Sequence, residues 1–420
     1  MEHAPLLISG AGLVGLSAAL LYADRFEAVH VLEKREDPEY RFSREARSLQ
    51  LVISARGWRT LIKLGLEQPI RDNAIALRGR TRHSGGDTFF EPYSAKGETI
   101  SCVSRNTLHR LLTEHALNHE RIAIHYNQQV SDVFFERNAL NSYNGDKKTH
   151  WRYDFLIGAD GVRSRVAQAL NANGEWTRNL EKNHYREINL NYAPWVRDTF
   201  HYWHSAHAMI GAFPVFEGGF SVFLVHRNEH MDKLLLDPNS AWFESLFPGF
   251  LDDVPNAREL FTDAVGGFLG SIDCRHWHYA NNTVLVGDAA HAMLPFMGQG
   301  LNTGLEDIFD LDLQLGEGGT LAQGGLHAYI ASRQSQAKAI REISEQQFRY
   351  LTGKFTPRDY ALKHLLDNWV ATENKPTTYM ACAFSLEPFA NIWEREKQIA
   401  ASFTENQILQ QMELDKQIGH

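Results

Sequence analysis

The chain has 420 residues, enough for two or three structural units with large buried cores. It is 43% hydrophobic and 22% charged, as ordinary globular proteins are, and its net charge of −9 argues against nucleic acid or an anionic membrane as the main partner. Its three cysteines, Cys102, Cys274 and Cys382, are too scattered for a disulfide framework and fit a reducing cytoplasm.

Pro5-Leu6-Leu7-Ile8-Ser9 reads as a short apolar strand running into Gly10-Ala11-Gly12-Leu13-Val14-Gly15, with a helix following through Leu16–Tyr22. The apolar stretch Leu6–Ala23 lacks a basic leader and is punctuated by glycines, so it does not read as a signal peptide. Ala28–Glu33 is a second strand and closes a βαβ unit. Helical periodicity returns at Gly57–Leu66 and Arg105–Asn118. Leu77–Ser101 and Tyr185–Val225 are rich in aromatic and β-branched residues between Gly and Pro turns, which suits an antiparallel sheet. Asp154–Gly161 and Thr283–Asp288 are further strands that end in glycine and aspartate. From Leu321 the pattern is mostly helical to the C-terminus. Outside the first segment no run of 18 apolar residues exists, so no membrane segment is expected.

Three motifs carry chemistry. In Gly10-x-Gly12-x-x-Gly15 the first glycine makes a tight turn, the second admits a pyrophosphate to the backbone, and the third allows close helix–strand packing. Glu33, ending the next strand, is placed to accept from ribose hydroxyls. The second motif, Gly158-Ala159-Asp160-Gly161-Val162-Arg163-Ser164-Arg165, reads equally as a cofactor contact or as a capped helix start. The third is Gly287-Asp288-Ala289-Ala290-His291, continuing to Gly298-Gln299-Gly300-Leu301-Asn302. Asp288 can hold a hydroxyl or an ordered water near a pyrophosphate, and the following helix N-terminus favours negative charge on the cofactor.

In this order, across essentially the whole chain, the motifs resemble the flavoprotein aromatic hydroxylases, single-component FAD monooxygenases with a para-hydroxybenzoate-hydroxylase-like fold. Within that family the kynurenine 3-monooxygenase branch looks closest, through Arg47-Ser48, Arg78-Gly79-Arg80, Glu91-Pro92-Tyr93, Ser104-Arg105, Phe384-Ser385 and Pro388-Phe389. The resemblance implies an α/β chain: a Rossmann-like FAD-binding domain (1–76, 102–180, 271–330), an inserted antiparallel-sheet substrate domain (77–101, 181–270) and a C-terminal helical region (331–420). It implies FAD held by Gly10, Gly12, Leu13, Val14, Gly15, Glu33, Lys34, Arg35, Arg47, Arg105, Asp160, Gly287, Asp288, Gly298, Gly300, Leu301 and Asn302. NAD(P)H is implied as a transient co-substrate, and a C4a-hydroperoxyflavin would transfer one atom of O2 to a small aromatic substrate, L-kynurenine or a related aminoaryl carboxylate.

By the same resemblance Arg80, Tyr93 and Tyr379 hold the substrate carboxylate, a task suited to a guanidinium fork and phenolic hydroxyls. Met209, Gly211, Phe213, Phe220, Pro295 and Phe296 line the pocket. Where the family commonly has Asn and Glu facing the aromatic end, this chain has Gln347 and Tyr350, with Lys354 anchoring the alignment, and Met297 stands where bacterial members can carry His. The eukaryotic members' C-terminal membrane segment has no counterpart after Glu405. Cytoplasmic localisation follows, while oligomeric state and the choice of NADH or NADPH stay open.

Cys274-x-His276-x-His278 alternates as strand ligands would, but no fourth ligand is evident, and no metal is expected there. With 20 histidines in the chain, the spacing of His201, His204 and His207 is no stronger a signal. A flavin-dependent halogenase would carry Trp-x-Trp-x-Ile-Pro, which this sequence lacks. Hydroxylation of another aromatic, such as an indole or quinolone, and a non-catalytic flavin sensor remain as alternatives.

Overall fold

Leu6, Leu7 and Ile8 are completely buried because the strand Glu2–Ser9 is flanked by parallel strands on both edges, Val29–Leu32 on one and Lys147–Gly158 on the other. The computed structural model describes residues 2–36, 50–94, 96–205, 208–237, 240–264, 266–315 and 325–418. Arg47 and His207, singled out above, lie outside the described residues.

The chain divides into two compact units. The first comprises Met1–Ile75, Ser101–Glu181 and Gly270–Gln334; the second comprises Ala76–Ile100, Lys182–Leu269 and Ser335–His420. In the first unit the parallel strands follow the order Thr283–Leu285, Lys147–Gly158, Glu2–Ser9, Val29–Leu32, Ile122–His125. Ser9 lies beside Gly158 and Leu32, and Gly158 beside Leu285, so four strands end level with one another. The helices Leu13–Tyr22, Arg105–Leu117 and Gly300–Asp312 pack around this sheet. An antiparallel extension, Gln129–Phe134 and Ala139–Asn144 paired with the start of Lys147–Gly158, was not anticipated from the sequence.

The second unit holds a mainly antiparallel sheet in which Gly79–Ser84, Asp87–Pro92, Thr199–Ser205, Ala208–Pro214 and Phe220–Arg227 are neighbours. Side chains alternate between its two faces. Trp203, Ala208, Ile210, Ala212, Phe220, Val222 and Leu224 point into a core with Phe243, Phe247, Phe250 and Phe261. Phe243, Phe250 and Phe261 sit on the short helices Ala241–Leu246, Phe250–Asp253 and Ala257–Asp263, Phe247 directly follows the first of these, and the helix Asn228–Leu236 adds Met231, Leu234 and Leu235 to the same core. The helices follow the stretch Tyr185–Val225 that was expected to be extended, and the strand Gly266–Cys274 then returns to the sheet. Phe243 and Phe247 are both completely buried, and the Phe247 N–H donates to the Phe243 carbonyl at 2.9 Å, closing the helix turn between them.

Further helices in this unit are Pro357–Thr372, Thr378–Phe384, Phe389–Ser402 and Glu405–Ile418. Pro357–Thr372 opens with a capping box: the Thr356 hydroxyl accepts from the Asp359 N–H, while the Asp359 carboxylate accepts from the Thr356 N–H. Among the described residues no helix is long and apolar enough to cross a membrane.

Candidate cofactor and substrate sites

Because the parallel strands end level, the Gly10 turn, Glu33, Asp160 and Asp288 all follow directly from strand ends at one edge of the sheet, the usual ligand edge of such folds. The three glycines of the first turn do different work. Gly10 has φ +105°, and a Cβ there would come within 2.6 Å of the Ala159 carbonyl oxygen. A Cβ on Gly15 would lie 1.9 Å from the Gly10 oxygen, so only glycine lets the helix approach the strand. Gly12 is different: a Cβ would meet nothing within 4 Å, and its φ of −74° suits any residue. What Gly12 leaves clear is space outside the protein.

The helix Leu13–Tyr22 begins there with no side-chain cap and no acidic residue in its first turn, leaving its N–H groups for an anion. Leu13 is buried, and Val14 packs against Gly287 and Gly304. These two residues therefore face protein and hold the turn in place.

Glu33 is buried and accepts from the Ala11 N–H at 3.0 Å and from Arg35 through its backbone N–H at 2.9 Å and Nε at 2.7 Å. Burial opposes its ionisation, but the Arg35 and Ala11 bonds outweigh it and hold the carboxyl below its ordinary value. Lys34 and Arg105 are exposed. His109, one turn after Arg105 on the helix capped by Ser104, donates from Nε2 to the Ala11 carbonyl at 2.8 Å. Sequence reading missed His109, since no spacing rule links it to the glycine turn.

The Asp160 carboxylate is bonded within its own chain. One oxygen accepts from the Ser164 hydroxyl and the other from the Arg165 N–H at 2.7 Å, so the carboxylate supports the start of the helix Arg165–Leu170, whose N-cap is Ser164. Asp288 is the opposite case. Its side chain is exposed and makes no hydrogen bond within the described residues, while surrounding protein raises its pKa against the opposing pull of His291 and Arg105.

Its placement comes from an ion network absent from the sequence reading. Asp307 accepts from the Gly287 N–H at 2.8 Å, from His291 Nε2 at 2.5 Å and from Arg333 Nε at 2.8 Å. Arg333 also donates to Glu306 at 2.8 Å, and Arg56 donates to the other Glu306 oxygen at 2.5 Å. All these side chains are nearly inaccessible to solvent. Despite burial, His291 and Arg333 keep the Asp307 carboxyl below its usual value.

The network fixes Gly287 at φ +59°, just before Asp288. Asn302 ties the same helix elsewhere, accepting from the Ser54 N–H at 2.8 Å and donating to the Val52 and Gly298 carbonyls at 2.9 and 2.8 Å. Its side chain is thus structural, and only its backbone is left for a ligand. Gly298 takes φ +63°, and the helix Gly300–Asp312 starts, at Gly300 and Leu301, without a side-chain cap. Two uncapped helix starts supply N–H donors, Gly12 leaves its backbone clear, and the Asp288 carboxylate is an acceptor, a combination that fits the pyrophosphate and hydroxyl groups of a flavin dinucleotide.

In the second unit, strand register puts Arg80 and Arg82 on the sheet face that carries Phe200, Tyr202, Met209, Gly211 and Phe213. Phe220, expected on the same wall, falls on the opposite face and is 1% exposed in the helix-packed core. Its expected role is corrected by the two-residue period of the strand. Arg80 Nη2 donates to Glu91 at 3.1 Å, and its guanidinium stands 5.1 Å from the Tyr379 ring and 5.8 Å from the Tyr202 ring. Tyr93 and Tyr379 stack at 5.4 Å.

Burial works against the Arg80 charge, yet Tyr202, Glu91, Tyr379 and Tyr93 outweigh it, so the guanidinium stays charged. Burial also raises the Tyr379 and Tyr202 phenols, keeping both as neutral donors. Tyr350 joins this group through His204, whose ring is 5.5 Å away, while Gln347 stands half-buried one turn earlier on its helix. Pro295 and Phe296 belong to the first unit, on the short turn Pro295–Met297.

Glu91 and Tyr202 escaped the sequence reading as members of this cluster. A signal existed: Gly85 and Gly86, both at positive φ, make a two-residue hairpin turn, which fixes Arg80 opposite Glu91 by counting outward.

The histidine and cysteine groupings serve local structure. Cys274 accepts from Asn171 Nδ2 at 3.3 Å, His276 pairs with Glu175 at 2.9 Å, and His278 bonds the Ala280 carbonyl at 3.0 Å. His201 bonds the Val196 carbonyl and His83, which stacks on Trp203 at 3.8 Å and is pushed down to about 3 by burial and its His201 neighbour.

Comparison with known proteins defines the class. The model of the FAD binding domain family matches residues 3–233 and 271–344, and the chain belongs to this family of FAD-dependent aromatic monooxygenases, flavoproteins that use NAD(P)H as co-substrate. Among its curated relatives, kynurenine 3-monooxygenase of Myxococcus xanthus is 31% identical over 357 residues, covering 81% of this chain and 76% of that protein. The enzyme of the same name from Flavobacterium psychrophilum is 28% identical, covering 92% of this chain and 89% of its own length. The fold is shared with PqsL of Pseudomonas aeruginosa, solved in complex with 2-aminobenzoylacetate, at TM-score 0.70 and 20% identity over 84% of this chain and 97% of that one. The chain is thus a flavin-dependent aromatic hydroxylase of the kynurenine 3-monooxygenase-like kind.

Proposed function

We propose that this enzyme inserts one atom of O2 into the ring of an aminoaryl carboxylate, with L-kynurenine as its substrate. The observation that carries the reading is the Arg80 guanidinium, kept charged on an aromatic face beside the Tyr93–Tyr379 pair. A carboxylate docked there gains charge-assisted bonds from the guanidinium fork and from neutral phenols. Met209, Gly211 and Phe213 on the same sheet face supply an apolar wall that orients the ring and excludes water, and Tyr350 and Gln347 face its amino-bearing end. FAD, when bound and reduced by NAD(P)H, supplies the activated oxygen. An ortho-directing ring amine suits such an electrophilic transfer. The names of the curated relatives support kynurenine, and the ligand of PqsL is likewise an aminoaryl carboxylate.

Stopped-flow flavin reduction with and without L-kynurenine, followed by product mass, tests this directly. Reduction should accelerate and the product should gain one oxygen; if neither happens, kynurenine is removed as substrate while the FAD assignment stands. Arg80→Met should keep a normal flavin content and lose about 2–5 kcal/mol of carboxylate binding, as truncated buried charge pairs do. Unchanged affinity would take Arg80 out of the site.

A further inference from the structure

Arg80 is paired with a carboxylate of its own chain, which a clamp for a bare carboxylate would not want. Glu91 lies directly across the hairpin from Arg80, 3.1 Å from Nη2, and Arg82 Nε approaches its other oxygen at 3.4 Å. Tyr202, from the adjoining strand, donates to the same carboxylate at 3.0 Å from one oxygen and 3.1 Å from the other. Glu91 is therefore held in place from three directions. It nevertheless remains 34% exposed, and Arg80 28% exposed, on one face of the sheet.

Arg80 spends Nη2 on Glu91, so a guanidinium with five N–H donors keeps capacity for a second anion, and the single Tyr202 proton can serve only one Glu91 oxygen at a time, which leaves the carboxylate capacity for a further donor. The surface thus offers a cationic donor and an anionic acceptor side by side. Against a ligand with only a carboxylate, Glu91 is a like charge at close range and weakens the clamp. Against a ligand with an ammonium beside its carboxylate, the same charge becomes an attraction.

We infer that Glu91 makes this clamp specific for a zwitterion, with Arg80 taking the carboxylate and Glu91 the α-ammonium of an amino-acid headgroup. The inference rests on the aminoaryl-carboxylate reading above and narrows it to aromatic α-amino acids. Glu91 acts here as a specificity-determining residue through direct contact with substrate, and Tyr202 as the residue that positions it.

The test compares two probes alike in ring, chain and carboxylate: L-kynurenine and its desamino analogue, 4-(2-aminophenyl)-4-oxobutanoate. Both are titrated into the FAD-loaded enzyme, with dissociation constants read from the flavin absorbance change. The wild type should favour kynurenine by at least about tenfold, the scale of one charge-assisted contact. In Glu91→Gln that preference should fall close to one, with the desamino probe bound as tightly as before or more tightly. Were Glu91 merely steadying Arg80, both probes would loosen by the same factor and the preference would survive, which overturns the inference.

If kynurenine itself fails to bind, the same titrations use L-tryptophan with indole-3-propionate and L-phenylalanine with 3-phenylpropionate. A Glu91-dependent preference for either amino acid then upholds the headgroup assignment while the kynurenine reading falls. Absence of such a preference in every pair overturns the headgroup assignment.

Discussion

Gly12 and Gly15 lie three residues apart in one motif, yet the surroundings of each predict opposite failures. At Gly15 an added methyl would sit 1.9 Å from a backbone oxygen that cannot move without breaking the turn. At Gly12 it would meet only open space, in a backbone conformation open to any residue. Gly15→Ala should therefore lower the yield of folded protein, and Gly12→Val should fold normally but purify without its yellow cofactor. Flavin absorbance relative to protein absorbance, together with a thermal melt of the apo forms, separates the two. A Gly12→Val protein with full FAD content would show that the pyrophosphate does not pass over this backbone. The glycine spacing was legible in the sequence, because all three glycines fall within six residues directly after an apolar strand. The division of labour among them was not, since Gly15 meets Gly10 while Gly10 meets Ala159, far along the chain.

Between elements, the helix Gly300–Asp312 is held to the strand turn at Gly287 by side chains from several parts of the chain. Arg333 bridges Glu306 and Asp307, and Asp307 in turn holds the Gly287 N–H. Removing one member leaves buried carboxylates without their counter-charge, which costs about 3–5 kcal/mol in comparable cases. Arg333→Met should therefore lower the denaturation midpoint of the apo protein markedly. It should also weaken FAD binding, because the turn that presents Asp288 loses its anchor; a variant as stable as wild type with unchanged FAD affinity would show the network to be dispensable. None of this was readable beforehand. Strands were identified from apolar runs and glycine ends, and register then aligned the motifs without further information. Arg56, Glu306 and Arg333 are separated by long stretches of sequence, and charged residues at such spacing look like solvated surface until the fold brings them together. The Arg80–Glu91 pair lies between these extremes, since its Gly85-Gly86 turn allows the register to be counted.

At the scale of the molecule, each unit is assembled from three separate stretches of chain, so neither can be recognised as a contiguous segment. The candidate cofactor groups all belong to the first unit, and the Arg80 cluster belongs entirely to the second. Ligand binding stabilises the backbone it touches, by about 2.7 kcal/mol at a hundredfold excess over the dissociation constant. That stabilisation reads out locally as slowed amide exchange. Hydrogen exchange measured by mass spectrometry on the apo protein, the FAD form and the FAD form with a carboxylate substrate should then give two distinct footprints. FAD should slow exchange over Gly10–Gly15 and Gly298–Asn302, where two helix starts offer uncapped N–H groups. Substrate should add protection over Arg80–Tyr93 and around Tyr379. FAD protection centred on Arg80–Tyr93 and missing from Gly10–Gly15 would reverse the assignment of the two sites, because the free N–H groups that exchange reports are those the dinucleotide is argued to occupy.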